Sequence, residues 1–422
     1  MKKEKRTIKD LLRNPVAGLI LALLLAVVCS LLGLLLSEET RLFIADSILT
    51  PIGTAFIQLV NCIALPMIFV SVMVGFGDMG DAKTLGKTNA RLLLRFFGLA
   101  LFTSLVTAAL GCLVYRVLPV FGGSGLTGGF GDVFRMLLGI IPSSLFTPFT
   151  SGNTLQIIFL AVLFGVALFC LQSKVQGLLT GLRELNEVFL KLMSFIGKLI
   201  PVYVFLSVVR LSFTHQLSAY KGVGLFLLIA VGIALLFGVF VILKTALKFR
   251  VSPLLLLRKV FGVFFLAFTT ASSAVSFQKS MEVSEKDLGV EKEVVRFGSP
   301  LALVFCKPMS AVYLVIISIY FANVFGIVVT IPWLLRLILL SVVLTAAIPP
   351  VSAGGVNCYV VLFGSLGIPD AALTLALSID PLVEFLITGF NVLSQPLELL
   401  CAAGDGKQVD LAVLGDTKEE GQ

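Results

Sequence analysis

Long apolar runs are the feature that most constrains what this chain can fold into. A helix needs about 20 consecutive apolar residues to cross the hydrocarbon core of a bilayer. The 422-residue chain is 58% hydrophobic and 13% charged, and its mean hydropathy is +1.06. Soluble proteins carry about 25% charged residues, so this composition predicts a polytopic, all-α membrane protein. The runs before residue 250 lie at roughly 16–37, 48–76, 92–120, 135–172, 188–213 and 222–247.

The charges between these runs predict how the chain is oriented in the membrane. Lysines and arginines concentrate in the N-terminal segment, in the 77–95 loop and in the 244–259 segment, whereas the loop after the first run is net acidic. Because cytoplasmic loops are enriched in Lys and Arg, we expect a multi-pass plasma-membrane protein with both termini in the cytoplasm. The run at 16–37 has no small-residue cleavage site, so we expect it to span the bilayer rather than act as a signal peptide.

Few residues in the chain carry the chemistry that enzymes use. His215 is the only histidine, and the seven cysteines are scattered without a CxxC pair. These observations exclude a membrane metalloprotease, a haem protein and a His-based proton relay, and they predict no cofactor and no disulfide framework. The formal net charge of +8 is explained by loop residues that set the topology, so no nucleic-acid partner is expected.

After residue 250 the apolar segments become short and interrupted. The segment 264–280 changes from apolar to Ser- and Thr-rich, and the segment 343–363 breaks at Pro349 and Pro350 before it resumes. Two apolar arms around a small-residue tip are typical of a re-entrant hairpin, which is tolerated at membrane depth only where protein or a cavity surrounds it. Plain surface loops are the alternative interpretation. Two such breaks in one chain favour a transporter binding site.

A polar stripe lies in the last apolar segment, 371–400. Asp380, Glu384, Thr388 and Asn391 are spaced by four, four and three residues, so they share one face of a helix. An ionisable residue inside a membrane helix costs about 2.5–3.5 kcal/mol on insertion scales and usually faces a cavity or a partner. Polar contacts between helices, at about 0.6 kcal/mol each, are the alternative interpretation.

Five segments of the sequence, taken in order, carry a family resemblance. Two of them resemble a second and a fourth membrane span: "ALPMIFVSVMVGFGDM" (64–79) and the segment 140–168. Two others resemble hairpin tips: "TTASSAV" (269–275) and "PVSAGGV" (350–356). The last follows the spacing of an eighth helix: "DPLVEFLITGFNVLSQ" (380–395). The family is the dicarboxylate/amino acid:cation symporter family, the glutamate-transporter family. The chain resembles a divergent member over nearly its whole length, by the order and spacing of its segments rather than by any intact motif.

The resemblance implies an elevator-type transporter with eight transmembrane helices and two re-entrant helical hairpins, assembled as a homotrimer in the lipid bilayer. Residues 1–80 (helices 1 and 2) and residues 131–215 (helices 4 and 5) would form the scaffold. Residues 81–130 would contribute helix 3 and a loop to the transport domain. Residues 216–422 would form the transport core, which holds helix 6, hairpin 1, helix 7, hairpin 2 and helix 8, and the cytoplasmic tail.

The resemblance also implies a set of site residues for a small-molecule substrate and its coupling ion. The implied substrate-binding positions are Ser272, Ser273, Lys307, Ser310, Val351, Ser352, Gly355, Asp380, Glu384, Ile387, Thr388 and Asn391. The implied remnants of the family's cation sites are Thr103, Ser104, Ala302, Cys306, Asn391 and Gln395. No metal site is firmly predicted, and both a weakly bound sodium ion and a proton remain open as the coupling ion.

The departures from the family pattern concern both the cation and the substrate. The segment 306–310 reads Cys-Lys-Pro-Met-Ser where the family has Asn-Met-Asp-Gly-Thr, so the Asn and the Asp are absent. Gln395 replaces a final Asp, and Ala100 replaces a Tyr. Hard cations prefer oxygen ligands, and carboxylates are missing here, so we expect weakened sodium binding. Ile387 replaces the Arg that members with acidic substrates use for the side-chain carboxylate.

Lys307 is the one Asp, Glu, Lys or Arg within the stretch 297–335. Three interpretations remain open: an internal cation or proton-coupling group that balances Asp380 or Glu384, an anion-binding group for substrate, and a side chain that snorkels to water. The sequence predicts an amino acid or dicarboxylate symporter that favours a neutral amino acid, with reduced or altered sodium coupling. The alternatives are a sodium- or proton-coupled dicarboxylate or glutamate symporter and a non-transporting or channel-like relative.

Overall fold

The computed structural model describes residues 15–33, 35–77, 82–117, 119–120, 138–171, 174–214, 222–348 and 355–415. Throughout these ranges the regular structure is helical, and β-structure is limited to two isolated bridges. Six helices within them are long and apolar enough to cross a membrane. The prediction of an all-helical, multi-pass membrane protein is therefore confirmed at this level of detail.

Eight helices lie in the described part of the chain before residue 250. They are α1 (Pro15–Gly33), α2 (Glu38–Gly77), α3 (Ala82–Val114), α4 (Thr147–Ser151), α5 (Thr154–Leu171), α6 (Gln176–Gly197), α7 (Ile200–Phe213) and α8 (Val223–Phe249). A π-helical stretch, Ala45–Leu49, lies within α2. The helix α2 begins well before the apolar run at 48–76, because Ser37 caps it and Glu38 and Glu39 occupy its first turn, where acidic side chains are favoured.

The apolar run at 135–172 does not form the continuous span that the sequence predicts. It contains the short helix α4 and the 18-residue helix α5. Pro148 lies in the first turn of α4, and Gly152 ends that helix with a φ of 68°. A left-handed glycine is a common way to end a helix, so Gly152 separates α4 from α5 although the composition is apolar throughout.

The apolar run at 188–213 is also divided. The helix α6 begins earlier, at Gln176, and ends at Gly197, and α7 starts at Ile200 with Pro201 in its first turn. Proline cannot donate the backbone N–H that would continue the preceding helix. The sequence prediction placed the start too late because the charged first half of α6 does not look like a membrane span.

Eight further helices follow residue 250 in the described part of the chain. They are α9 (Pro253–Thr270), α10 (Ser273–Glu282), α11 (Lys292–Phe305), α12 (Pro308–Val324), α13 (Ile331–Leu344), α14 (Val356–Leu366), α15 (Asp370–Asp405) and α16 (Leu411–Gly415). A π-helical turn, Val283–Asp287, extends α10, and a 3-10 turn, Thr345–Ala347, extends α13. The 36-residue helix α15 carries the whole polar stripe without interruption.

The two interrupted segments each lie between a pair of helices. The α9–α10 break falls at Ala271, whose φ is 48°, and Ser272, at the start of the predicted tip. With 18 residues, α9 is about 27 Å long at 1.5 Å per residue, so it is longer than the half-length arm that the sequence predicts. The predicted tip between α13 and α14 is outside the described residues except for Gly355 and Val356.

The arms α13 and α14 are joined by a side-chain contact away from the tip. Trp333, the only tryptophan of the chain, lies in the first turn of α13. Its indole N–H donates a hydrogen bond of 2.9 Å to the carbonyl of Leu366, the last residue of α14. The contact holds the outer ends of the two arms together.

The helix α15 lies at the centre of the second half of the chain, where it packs against α3, α8, α9, α11 and α12. In the first half, α2 packs against α5 and α6, and α7 packs against α1. The two sets meet where the Phe305 ring of α11 lies over Gly75 of α2, since a Cβ at Gly75 would come 2.8 Å from that ring. The division into scaffold and transport domains stays a prediction.

Candidate functional site

A small cavity lies where α10, α12, α14 and α15 converge. Its volume is about 50 Å³. The interrupted helix pairs and the polar stripe of α15 meet at this cavity, which makes it the candidate functional site. Its lining residues are Ala271, Ser273, Lys307, Ser310, Tyr313, Leu314, Ile348, Gly355, Tyr359, Asp380, Glu384, Ile387, Thr388 and Asn391.

The cavity brings together most of the substrate-binding residues that the family resemblance implies. Ser272 is buried at the α9–α10 break but is not part of the lining. Val351 and Ser352 lie outside the described residues. The implied residues that do line the cavity are Ser273, Lys307, Ser310, Gly355, Asp380, Glu384, Ile387, Thr388 and Asn391. Their role in binding stays a prediction. The lining residues that sequence reasoning missed are Ala271, Tyr313, Leu314, Ile348 and Tyr359.

Lys307 occupies the break between α11 and α12. It is the N-cap of α12, and Pro308 follows in the first helical position, where the missing proline N–H would have no partner in any case. The side chain is 3% exposed, and its Nζ donates a hydrogen bond to the carbonyl of Ile348, directly after the 3-10 turn that extends α13. Among the described residues no carboxylate forms an ion pair with it. Its partner is thus a backbone carbonyl rather than the carboxylate that the internal-cation interpretation expects.

Asp380 is the buried carboxylate of the cavity. It is 5% exposed and accepts a hydrogen bond from the hydroxyl of Tyr359 on α14. Tyr313 of α12 stands beside Tyr359, with ring centroids 6.4 Å apart and planes at 75°. The Tyr313 hydroxyl is buried and has no hydrogen-bond partner among the described residues. The groups around Asp380 are therefore neutral phenols rather than cations.

Asn391 ties α15 to the start of α12. Its Oδ1 accepts hydrogen bonds from the backbone N–H of Met309 at 2.9 Å and of Ser310 at 3.3 Å, and its Nδ2 donates to the Ser310 hydroxyl at 2.7 Å. The first N–H groups of a helix have no partner within that helix, so Asn391 serves as a side-chain cap supplied by a neighbouring helix. An amide nitrogen carries two hydrogens, and the bond to Ser310 uses one of them.

The cation-site remnants at the α11–α12 break are hydrogen-bonded to protein groups. Gln395 donates its Nε2 hydrogen to the Cys306 carbonyl at 3.3 Å, and the Ala302 carbonyl accepts the Cys306 N–H at 2.9 Å. The Cys306 sulfur lies 3.7 Å from the Ser394 hydroxyl. An amide donor now meets a carbonyl where the family resemblance implies a carboxylate, so this donor set does not suit sodium.

The remnants on α3 are surrounded by apolar packing. The Thr103 hydroxyl donates to the Leu99 carbonyl at 2.7 Å, and the Ser104 hydroxyl is buried without a partner among the described residues. Ala100 is buried against Ala311 of α12 and a valine of α13. Within the described ranges, no group of three or more His, Cys, Asp or Glu side chains could hold a metal ion.

A second set of charges lies at the C-terminal end of α15. We call it the Glu398 cluster; its members are Glu398, Asp405, Lys244, Lys248 and Arg95. Glu398 is 1% exposed, forms an ion pair with Lys244 of α8, and lies 3.8 Å from Arg95 of α3. Asp405 accepts hydrogen bonds from Arg95 and Lys248, each at 2.5 Å. Sequence reasoning missed this cluster, although Glu398 continues the helical spacing of the polar stripe.

The surroundings of the cavity define the class of protein. The cavity lies among helices that can cross a membrane and is lined by two acidic side chains and a lysine. Ionisable residues within membrane helices usually face a substrate or ion pathway, and interrupted helices are typical of transporter binding sites. The fold and the site are those of a multi-pass membrane transporter.

The chain belongs to the sodium:dicarboxylate symporter family, whose family model matches residues 16–401. The resemblance noted in the sequence is thereby confirmed. A proton/glutamate-aspartate symporter of Bacillus subtilis (strain 168) is 26% identical, over 82% of this chain and 85% of the relative. The proton/glutamate-aspartate symporter of Escherichia coli (strain K12) is 26% identical, over 88% and 90%. A C4-dicarboxylate transport protein of Bacillus subtilis (strain 168) is 26% identical, over 78% and 81%.

Proposed function

We propose that this protein is a secondary active symporter of amino acids or dicarboxylates that favours a neutral amino acid and has reduced or altered sodium coupling. The observation that carries the proposal is the position of Lys307. Its buried ammonium binds the Ile348 carbonyl, beside the hairpin tip that would cover the substrate. A fixed cation there can supply the positive charge that a bound sodium ion would otherwise bring to this backbone.

The loss of sodium ligands supports the same proposal. Pro308 and Gln395 replace the two family carboxylates, and Gln395 donates to the Cys306 carbonyl. Asp380 and Glu384 are the acids that remain in the cavity lining. Two carboxylates are too little negative charge to hold several sodium ions in the cavity, since each intramembrane charge needs a partner.

The preference for a neutral substrate rests on Ile387. This side chain lines the cavity and is 9% exposed, in the position where the family resemblance implies a substrate-binding arginine. Without a cation there, an acidic side chain would lose its charge-assisted hydrogen bonds, which contribute about 1.5–3 kcal/mol each. Glu384 is proposed to accept the substrate amine, and the remaining Asn391 amide hydrogen is proposed to donate to the α-carboxylate.

A sodium- or proton-coupled dicarboxylate or glutamate symporter is the second candidate. One specific observation favours it, because Lys307 lines the cavity and could meet a second carboxylate of the substrate. Relatives named as proton/glutamate-aspartate symporters and C4-dicarboxylate transport proteins fit this candidate as well. The two candidates differ in whether Lys307 faces the hairpin backbone alone or the substrate too.

The proposed architecture is a homotrimer in the plasma membrane, with eight spans, two re-entrant hairpins and both termini in the cytoplasm. Residues 1–80 and 131–215 would form the scaffold, and 81–130 and 216–422 the moving transport domain. The packing of α15 against α3, α8, α9, α11 and α12 supports this grouping. Cysteine-accessibility labelling at Ser37 and Gly80 should report opposite sides of the membrane, and labelling of both from one side would contradict the topology.

A binding screen and an uptake assay test the proposed function. The purified protein is heated with amino acids or dicarboxylates, with and without sodium, because a ligand that binds the folded state raises its apparent stability. Stabilisation by neutral amino acids without sodium is expected. Tight binding of aspartate or succinate with no response to neutral amino acids would favour the second candidate. Binding without uptake into proteoliposomes would indicate a receptor. An ionic current without substrate counterflow would indicate a channel.

A further inference from the structure

We propose that Asp380 is the proton-carrying group of this transporter and that Tyr359 and Tyr313 hold its carboxyl in the closed cavity. The inference rests on the proposed symport function and deepens it by naming the group that binds the coupled proton. It adds a role for two tyrosines that the family resemblance did not single out. The alternative occupant of the same carboxylate is a sodium ion, and the experiment below distinguishes the two.

The Asp380 carboxylate is isolated from positive charge. It is 5% exposed, its bonding partner is the neutral Tyr359 hydroxyl, and no cation among the described residues pairs with it. The nearby Lys307 ammonium is bound to the Ile348 carbonyl. A buried carboxylate without a cation is costly, and uptake of one proton removes that cost.

A protonated Asp380 would need a hydrogen-bond acceptor for its O–H. A neutral carboxyl group donates one hydrogen bond and still accepts others. The Tyr359 hydroxyl already contacts Asp380, and the Tyr313 hydroxyl is buried beside Tyr359, so a phenol oxygen would be available as the acceptor. Two phenols from different helices thus complement the protonated form, whereas sodium would require several more oxygen ligands.

Three further residues of α14 and α15 bear on the protonation of the carboxyl. Glu384 lies one turn further along α15 and adds like charge, which favours protonation. Cys358 of α14 is buried, and its Sγ faces the Leu344 carbonyl at 3.6 Å. The start of α14 approaches Asp380, since a Cβ at Gly355 would lie 3.9 Å from Oδ1. A helix N-terminus favours the ionised form, but this effect is weaker than the cost of full burial.

These contacts link the proton to the movement of a hairpin arm. Tyr359 and Gly355 both belong to the start of α14, so displacement of this arm would remove the hydroxyl and admit water to Asp380. In the open cavity water can solvate the carboxylate, and closure would then favour the neutral acid. One proton passes from water to a carboxylate oxygen before closure and returns to water on the opposite side after opening. No other bond forms or breaks in this step.

The test compares exchange with gradient-driven uptake in proteoliposomes that contain the full-length protein. Labelled alanine, glutamate and succinate are the probes. One pH unit corresponds to about 1.4 kcal/mol, so one proton per substrate can drive about tenfold accumulation. Asp380→Asn should lose the accumulation driven by the pH gradient, and any exchange of the transported probe that it keeps should no longer depend on pH. Tyr313→Phe should shift the pH dependence of exchange. Tyr320→Phe is the matched control, because Tyr320 also has a buried hydroxyl without a partner among the described residues but does not line the cavity.

The outcomes separate this inference from the proposed function. Accumulation driven by the pH gradient in Asp380→Asn would overturn the inference, as would a sodium dependence that disappears in that variant. If the unmutated protein exchanges none of the probes, the proposed function fails. Infrared titration of the detergent-purified protein still decides the protonation in that case. A carboxylic acid band that Asp380→Asn removes and Asp405→Asn retains supports the inference, and an identical band in both variants overturns it.

Discussion

The helix α15 buries acidic side chains at two places, and their partners differ in charge. At the C-terminal end, Glu398 is met by the ammonium of Lys244 and the guanidinium of Arg95. In the cavity, Asp380 is met by a phenol hydroxyl, and Lys307 is met by a backbone carbonyl. Charge is neutralised within the protein at one end, while at the other the opposite charges have separate neutral partners.

This difference indicates which part of the helix can gain a proton, an ion or a substrate. A buried ion pair with complete partners is costly to separate, so the Glu398 cluster fixes α15 to α3 and α8. A buried charge with a neutral partner can gain a proton, an ion or a substrate with much less rearrangement. The comparison predicts that substitutions at the C-terminal end reduce stability and that substitutions in the cavity change transport.

The largest expected effect is on transport in the Lys307→Met variant. Removal of the ammonium leaves the Ile348 carbonyl without its partner and removes the one basic side chain among the described residues that line the cavity. A buried acceptor left without its partner costs about 1–3 kcal/mol, and the upper end of this range corresponds to an uptake about 100-fold lower. Uptake of labelled substrate into proteoliposomes, with and without added sodium, measures this effect.

Added sodium should restore part of the Lys307→Met activity, because the vacated position can then accept an external cation. Lys286→Met is the matched control, since Lys286 is 69% exposed and outside the cavity. Steep sodium dependence that is identical in the unmutated protein and in Lys307→Met would show that the lysine has no part in coupling.

The second expected effect is a loss of stability in the Lys244→Met variant. It leaves Glu398 buried with only Arg95 at 3.8 Å. Breaking a buried pair costs about 3–5 kcal/mol, and the lower end of this range is expected because Lys244 is 31% exposed. The midpoint of thermal unfolding in detergent measures the loss. The double variant with Glu398→Leu should recover most of it, and failure to recover would mean that Lys244 stabilises through packing rather than charge.

A smaller effect is expected on substrate preference in the Ile387→Arg variant. The new guanidinium would reach the cavity and meet the side-chain carboxylate of an acidic substrate. One charge-assisted hydrogen bond contributes about 1.5–3 kcal/mol, so the ratio of aspartate to alanine uptake should rise at least about tenfold. Ile387→Met controls for the change of shape. An unchanged ratio in Ile387→Arg would place this residue outside the substrate pocket.

The smallest effect is expected for an ion pair outside both ends of α15. A hydrogen bond from Lys286 lowers the pKa of Glu282 at the end of α10. The lowered pKa would contribute stability at neutral pH that is lost as the pH falls through the folded-state pKa. Because solvent screens this exposed pair, Glu282→Gln should leave the unfolding midpoint unchanged at pH 7. A clear decrease in the unfolding midpoint would show that this exposed ion pair stabilises the protein as the buried Glu398 pair does.

The sequence could predict the elements whose signal is local. The spacing of Asp380, Glu384, Thr388 and Asn391 placed them on one face of a helix, and all four line the cavity. The interruption within 264–280 was visible because Ser and Thr follow an apolar run, and the break between α9 and α10 falls within this segment at 271–272. These residues depart from the composition around them, so a single sequence is enough to find them.

The contacts that give those residues their partners could not be predicted. Tyr313 and Tyr359 lie in apolar runs and differ from core aromatic residues only in where their hydroxyls point. The partner of Lys307 is a carbonyl 41 residues away, and every residue has a carbonyl. Glu398 had a detectable spacing, but its pairing with Lys244 depends on how α8 packs against α15.

The single tryptophan gives the contact between α13 and α14 a spectroscopic label of its own. Trp333 joins the first turn of α13 to the end of α14 through its indole N–H. All indole fluorescence of the protein therefore originates at the contact between these two arms. A shift in emission wavelength on addition of substrate would report a change in the polarity or hydrogen bonding of this one group, without labelling and without interference from a second emitter.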